Sequence, residues 1–197
     1  MAVGDLVSTL TNILVEPTRV KLTDGGERLE LGEPRASMRV RVTALPPNLI
    51  ALRITRIGHL SALRQEPASD WNKRCDYVLL NDLGDRCDVV FVELKKTLND
   101  KKAAAQQLRR SLPIVKYLLS VCEVERGRAW PMSVHYALIA EKQNPLLDKQ
   151  RTRQPPAFLT TERFDGVDVA IFVGTTFSAA QLAASPVGGQ APAALTN

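Results

Sequence analysis

The sequence predicts an α/β domain with a mixed central sheet, a hairpin at its middle and helices on its flanks. Three observations lead there. Residues 76–95 read as two strands folded about a turn at Gly84. An alanine-rich helical run follows them directly, from Lys101 to about Val121. Two more apolar strand patterns lie beyond it, at 133–140 and 167–173. Strand, helix and strand in succession describe a crossover, the connection used inside α/β sheets.

The elements follow from local pattern. Val3, Leu6, Val7, Leu10, Ile13 and Leu14 recur at helical spacing until Pro17 stops them. Asp24-Gly25-Gly26 is a turn, and Met38 to Thr43 alternates so that Arg39 and Arg41 face outward from a half-buried strand. Pro46-Pro47-Asn48 is a loop before a strand over 49–57. Ser61 to Gln65 suits a short helix and Glu66 to Asp70 a polar link.

Strand 76–80 comes next, then turn chemistry over 81–86 and a strand from Asp88 to Lys95. The unbroken run Val89-Val90-Phe91-Val92 suits a strand covered on both faces. Asn99 or Asp100 can cap the following helix, and Pro113 should kink or divide it. Residues 141–165 read as a long polar segment, and one short helix follows Thr176. A single domain over 1–180 is expected, with an extra helix and strands before residue 70 and a disordered Pro/Gly/Ala-rich tail over 181–197.

Composition excludes several classes. The 197 residues, 45% hydrophobic and 24% charged, suit a globular chain with a sizeable core. No stretch approaches the ~20 apolar residues that span a bilayer, and the N-terminus lacks the basic opening of a secretory signal. A cytoplasmic protein with no membrane partner is expected. Aromatics at 5% argue against a channel built on stacked rings. Cys75, Cys87 and Cys122 form no CxxC pair and only His59 and His135 join them, so a zinc site of ordinary spacing is not expected. Buried reduced thiols are. Net charge +5 is compatible with a polyanionic partner without requiring one.

Chemistry concentrates at Asp76 and at Glu93-Leu94-Lys95. Glu93 and Lys95 share a strand face because side chains alternate. With the hairpin turning about Gly84, residue 80 opposes 89, 78 opposes 91 and 76 opposes 93, with opposed Cβ atoms roughly 4.5–5.5 Å apart. Asp76, Glu93 and Lys95 then converge at the open end of the hairpin. A slip of one residue would put Asp76 on the other face. Two carboxylates at that separation suit a hard divalent cation, which prefers oxygen ligands and also binds phosphate oxygens. A neighbouring lysine can position an attacking water and stabilise charge on a phosphate, as metal-assisted phosphodiester hydrolysis needs.

These residues resemble the PD-(D/E)xK nuclease superfamily, which has an acid on one strand and an acid-x-lysine triplet on the next. The resemblance covers residues 74–120, and Cys75 stands where the family usually has proline. It implies a restriction-endonuclease-like core, with Asp76, Glu93 and the Leu94 carbonyl as ligands of Mg²⁺ (Mn²⁺ as a substitute). It also implies that Lys95 positions water and that a helical glutamine orients the site. Gln107 fits that place best and Gln106 is the other candidate. Many members add an upstream helical glutamate, for which Glu30, Glu33 and Glu66 all qualify.

The expected activity is metal-dependent hydrolysis of nucleic acid, DNA first, with target choice supplied by a homodimer or a recognition partner. Lys73, Arg74, Lys96, Lys102 and Arg109 are the candidate phosphate contacts, within a basic cluster that includes Lys101 and Arg110. The run Lys149 to Arg153 reads as a solvated loop. A catalytically silent interaction or nucleic-acid-binding subunit of the same fold is the alternative. The plainer readings are a polar strand start at Asp76, a surface ion pair at Glu93–Lys95 and an exposed helix glutamine at Gln107. Against them stands Glu93, which interrupts an apolar run in a strand that reads as buried.

Overall fold

The computed structural model describes residues 5–14, 19–23, 26–33, 37–54, 73–142 and 157–184. In chain order these form α1 (Asp5–Ile13), β1 (Leu22–Thr23), β2 (Arg28–Glu33), β3 (Met38–Thr43), β4 (Leu49–Arg53), β5 (Tyr77–Asp82) and β6 (Cys87–Thr97). Then come α2 (Lys101–Arg126), β7 (Met132–Lys142), β8 (Ala157–Phe164), β9 (Val167–Val173), β10 (Thr176–Ser178) and α3 (Ala179–Ala183). The fold is mixed α/β with two mixed sheets.

The larger sheet has the order β4-β5-β6-β7-β9-β8 and the smaller one β1-β2-β3-β10. β4, β5 and β6 form an antiparallel meander, and α2 then carries the chain across to β7, which runs parallel to β6. Strand alternation divides the core. Ile50, Leu52, Val78, Leu80, Val89 and Phe91 face α1 and α2. Leu49, Ala51, Leu79, Val90, Val92 and Leu94 face the small sheet and α3. The six-stranded sheet is thus covered on both sides, which is why β6 reads as a continuous apolar run.

α2 follows β6 after a short loop. Asp100 caps it by accepting from the Ala103 N–H at 3.3 Å, and Gly127, at φ 63°, ends it in the left-handed region. The helix runs undivided through Pro113 and five residues beyond its expected end. Ile114, Val115, Leu118, Leu119 and Cys122 bury the second half against the sheet, and that packing outweighs the one backbone bond proline removes. α1 is held differently: the buried Asp82 carboxylate accepts from the Leu6 N–H at 3.1 Å, so a β5 residue caps α1 from outside its own segment.

Several expectations change. β5 begins at Tyr77 and extends through Asn81 and Asp82, so the turn tightens to 83–86 with Gly84 at φ 91°. β2 and β10 were not expected, and β8 lies inside the segment read as polar. β8 and β9 form a hairpin through Asp165 and Gly166, both with positive φ, at 48° and 83°. Residues 181–183, assigned to the tail from sequence, belong to α3, where Leu182 is fully buried. The expected helix at 61–65, the link at 66–70, the Lys149 to Arg153 run and the tail from 185 lie outside the described residues.

Candidate active site

The β5–β6 register is the one that the sequence specifies: Leu80 opposes Val89, Val78 opposes Phe91 and Tyr77 opposes Val92. Asp76 lies one step past the last pair, level with Glu93. β6 keeps β7 as a partner through Thr97 but loses β5 after Val92. The Asp76 carboxylate fills that gap, accepting the Leu94 N–H at 2.8 Å where a backbone carbonyl would otherwise sit. Asp76, Glu93 and Lys95 therefore lie on the α2 face, at the end where β6, β7 and β9 present their carboxyl ends. Ligands of open α/β sheets commonly bind at that end.

Lys95 Nζ donates to Glu93 Oε1 at 2.6 Å and to Gln107 Oε1 at 3.1 Å. Gln107 reaches back through Nε2 to the Arg74 carbonyl at 3.5 Å. One helical turn on, Ser111 Oγ accepts the Cys75 N–H at 2.9 Å and donates to the Gln107 carbonyl. Residues 107 and 111 share a helix face. From it α2 fixes both the lysine and the backbone just before Asp76.

The carboxylates are under electrostatic strain. Glu93 is 1% exposed and Asp76 9%. Burial first, and then repulsion from Glu93, raises the Asp76 pKa well above the ordinary carboxylate value; the Leu94 N–H offsets part of this. Burial likewise raises Glu93, against the lowering effect of Lys95. Glu93 Oε2 is buried without a hydrogen-bond partner. Glu33, at the end of β2, adds negative charge within hydrogen-bonding reach of Asp76. Of the three glutamates considered from sequence, Glu33 is thus the one at the site, on a strand rather than a helix. Glu30 pairs with Arg39 at 3.2 Å, and Glu66 lies outside the described residues.

Two repelling buried carboxylates with an orphaned oxygen fit a divalent cation. Among the described residues no three His, Cys, Asp or Glu side chains gather as a complete ligand set. The donors at hand suit an ion that keeps several waters, as Mg²⁺ does. Leu94 can serve only through its backbone carbonyl, since its aliphatic side chain has no donor atom and packs on the opposite face.

The other predicted residues scatter. Lys73, Lys96 and Lys102 are exposed, and Lys96 lies on the face opposite Lys95. Arg74 is 8% exposed, and desolvation lowers its pKa. Arg109 donates to the Asp165 carbonyl at 3.5 Å. That turn lies six residues before Ile171, the β9 residue level with Glu93, hence about 20 Å away along the strand. Lys101 pairs with Glu162. All three cysteines are free and buried, and burial raises each thiol. His135 is buried on the small-sheet face, away from the site. His59 lies outside the described residues. Sequence reasoning missed Ser111 and Asp82, because no motif marks a buried hydroxyl or a carboxylate that caps a distant helix.

No helix among the described residues is long and apolar enough to cross a membrane. Comparison with known proteins brings no assignment, since no family model, curated protein or solved structure matches the chain.

Proposed function

We propose that this chain is a metal-dependent nuclease that hydrolyses phosphodiester bonds of nucleic acid, DNA first, on a restriction-endonuclease-like core. One observation carries the reading: Asp76, Glu93, Lys95 and Gln107 converge at the open end of one hairpin, with both carboxylates buried and raised in pKa. Structural ion pairs seldom keep a second carboxylate buried beside them, because its desolvation is uncompensated. The order of helix, antiparallel meander, crossover helix and parallel strand supports the same reading.

Asp76 and Glu93 would hold Mg²⁺, with the Leu94 carbonyl and water completing the set. The bound ion supplies Lewis-acid polarisation of the phosphate and lowers the pKa of water. Lys95 carries three N–H donors, two of them engaged by Glu93 and Gln107. The third is available to orient an attacking water or to steady a phosphate oxygen. Gln107 keeps the ammonium over the site, and the Leu94 N–H fixes the Asp76 carboxylate.

The test is cleavage of supercoiled, linear duplex and single-stranded DNA, and of RNA, with Mg²⁺ or with EDTA. Glu93→Ala and Lys95→Ala, each checked for folding, should lose at least ~10²-fold in rate, the range for removing a positioned proton-transfer or charge-stabilising group. Metal-independent cutting, or cutting indifferent to both substitutions, refutes the proposal. Salt-sensitive binding without any cutting favours a catalytically silent nucleic-acid-binding subunit.

A further inference from the structure

On the other side of the Asp76 edge lies a cleft of about 740 Å³. Its walls come from residues 19–21, from β2, from residues 37–39 and from the facing ends of β4 and β5. Arg19, Lys21, Arg39 and Arg53 line it, against the carboxylates Glu30 and Glu33. Glu30 is neutralised by Arg39, and Glu33 stands at the boundary with Asp76. Four cations against two carboxylates leave the lining net cationic, and Glu33 brings its edge beside Asp76.

Its far wall is rigid. The Tyr77 hydroxyl donates to the Gly32 carbonyl at 2.6 Å and accepts the Gly32 N–H at 2.9 Å, tying β5 to β2. Arg53 lies over the Tyr77 ring at 5.7 Å and donates to the Gly32 carbonyl at 3.2 Å, so its guanidinium is held in place before any ligand arrives. Tyr77 directly follows Asp76 but points to the opposite sheet face, so the cleft meets the carboxylate pair around the start of β5, where Glu33 reaches Asp76. Two cations of α2 are directed elsewhere, Lys101 to Glu162 and Arg109 to the Asp165 carbonyl.

We propose that this cleft holds the backbone phosphates of a single DNA strand running to the Asp76–Glu93–Lys95 site. A 740 Å³ volume lies within the ~300–1,000 Å³ range of pockets that take compact ligands, which suits a short length of one strand and not a duplex. Spaced guanidinium and ammonium groups beside few exposed rings read backbone charge and not base identity. The inference rests on the nuclease proposal only for where the strand leads.

The experiment is fluorescence anisotropy on the full chain in EDTA, with a labelled single-stranded DNA of about 8 nucleotides, inside the ~4–16 nucleotide footprint of single-strand sites. The same sequence as a duplex and a nucleoside monophosphate competitor run alongside. Lys21 and Arg39 are exposed, so Lys21→Ala/Arg39→Ala should fold. It should weaken single-strand binding by about 10-fold and lower the salt slope by at least ~0.7, the value for one lost phosphate contact, because Arg39 shares its charge with Glu30. Glu30→Gln should tighten binding, and Lys102→Ala on α2 should change it less than ~2-fold.

The cleft proposal is overturned by binding unchanged in the double variant, by an equal loss in Lys102→Ala, by a duplex bound as tightly as the single strand, or by a mononucleotide as strong as the oligonucleotide. The two proposals fail separately. Cleft-dependent binding without cutting sinks the nuclease alone, and cutting that needs Glu93 but ignores the cleft variants sinks the cleft alone.

Discussion

Glu93→Gln should make the metal-free protein more stable at alkaline pH, although it removes an ion pair. Glu93 is 1% exposed, with one oxygen on Lys95 at 2.6 Å and the other unpartnered. Glutamine keeps the shape and removes the charge. Lys95 loses its carboxylate but is about a third exposed, so water can replace most of that interaction at a cost of ~0–1 kcal/mol. Relief of burial and of repulsion with Asp76 acts in the opposite direction.

Because the folded-state pKa values of Asp76 and Glu93 are raised, the folded chain holds protons that the unfolded chain has released above about pH 4. Their stabilising effect is full below that value and is lost as pH rises through the raised folded pKa. The slope reaches at most ~1.4 kcal/mol per pH unit for each retained proton. For a chain of this size 1 kcal/mol moves Tm by roughly 2–4 °C. With one proton shared by the repelling pair, wild-type Tm in EDTA should fall by about 3–5 °C per pH unit from about pH 5 and level off above the raised values, about 7 for Glu93 and about 8 for Asp76. Glu93→Gln should end that fall at a lower pH, because Asp76 freed of its repelling neighbour is raised by burial alone, and should melt about 2–4 °C above wild type near pH 8. Saturating Mg²⁺ should raise wild-type Tm and leave the variant nearly unchanged. Thermal melts across pH, with EDTA and with Mg²⁺, read all of this. A wild-type Tm that stays flat or climbs from about pH 6 to about pH 8 in EDTA would refute the electrostatic reasoning.

Gln107→Ala removes the hydrogen bond that holds Lys95; cleavage rate should fall by about 10-fold with Tm within a few degrees of wild type, and Gln107→Glu should restore part of the rate by accepting the same bond. A Gln107→Ala rate equal to wild type would remove this residue from the site. Asp82→Ala strips α1 of its cap and leaves the Gly84 N–H without its acceptor, which should cost ~1–3 kcal/mol. Hydrogen exchange should then show α1 losing protection first, and uniform loss across β5 and β6 would contradict the role.

The centre of the fold is legible because local and global signals agree there. Gly84 supplies the left-handed turn residue, Val89 to Val92 demands cover on both faces, and counting outward from the turn gives the register that places Asp76 beside Glu93. Glu93 stands out in the sequence for the reason it matters in the structure: a charge in a doubly covered strand. β8 escaped because residues 159–164 are exposed or half-exposed at a sheet edge and lack an apolar pattern, although Asp165-Gly166 carries the positive-φ pair of a tight hairpin. β2 escaped although Arg28-Leu29-Glu30-Leu31 alternates as a strand should. The cleft was not legible at all. Its cations come from residues 19–21 and from β3 and β4, and only the packing of the small sheet on the large one brings them together.

The spacing between Lys95 and Gln107 is the point where chain connectivity becomes chemistry. β6 ends at Thr97 and α2 starts at Lys101, so the crossover must return over the end of the strand it has just left. The Asp100 cap sets the start of the helix, and the 3.6-residue period then decides which side chains face the sheet. Ala104 and Leu108 enter the core, and Gln107 and Ser111 are left at its edge, beside Lys95 and Cys75. Two polar residues one turn apart thereby fix the ammonium and the strand start that bears Asp76. Shifting the cap by one residue would rotate this face by ~100° and disconnect both. The catalytic reading thus depends on where a helix begins as much as on which residues it carries.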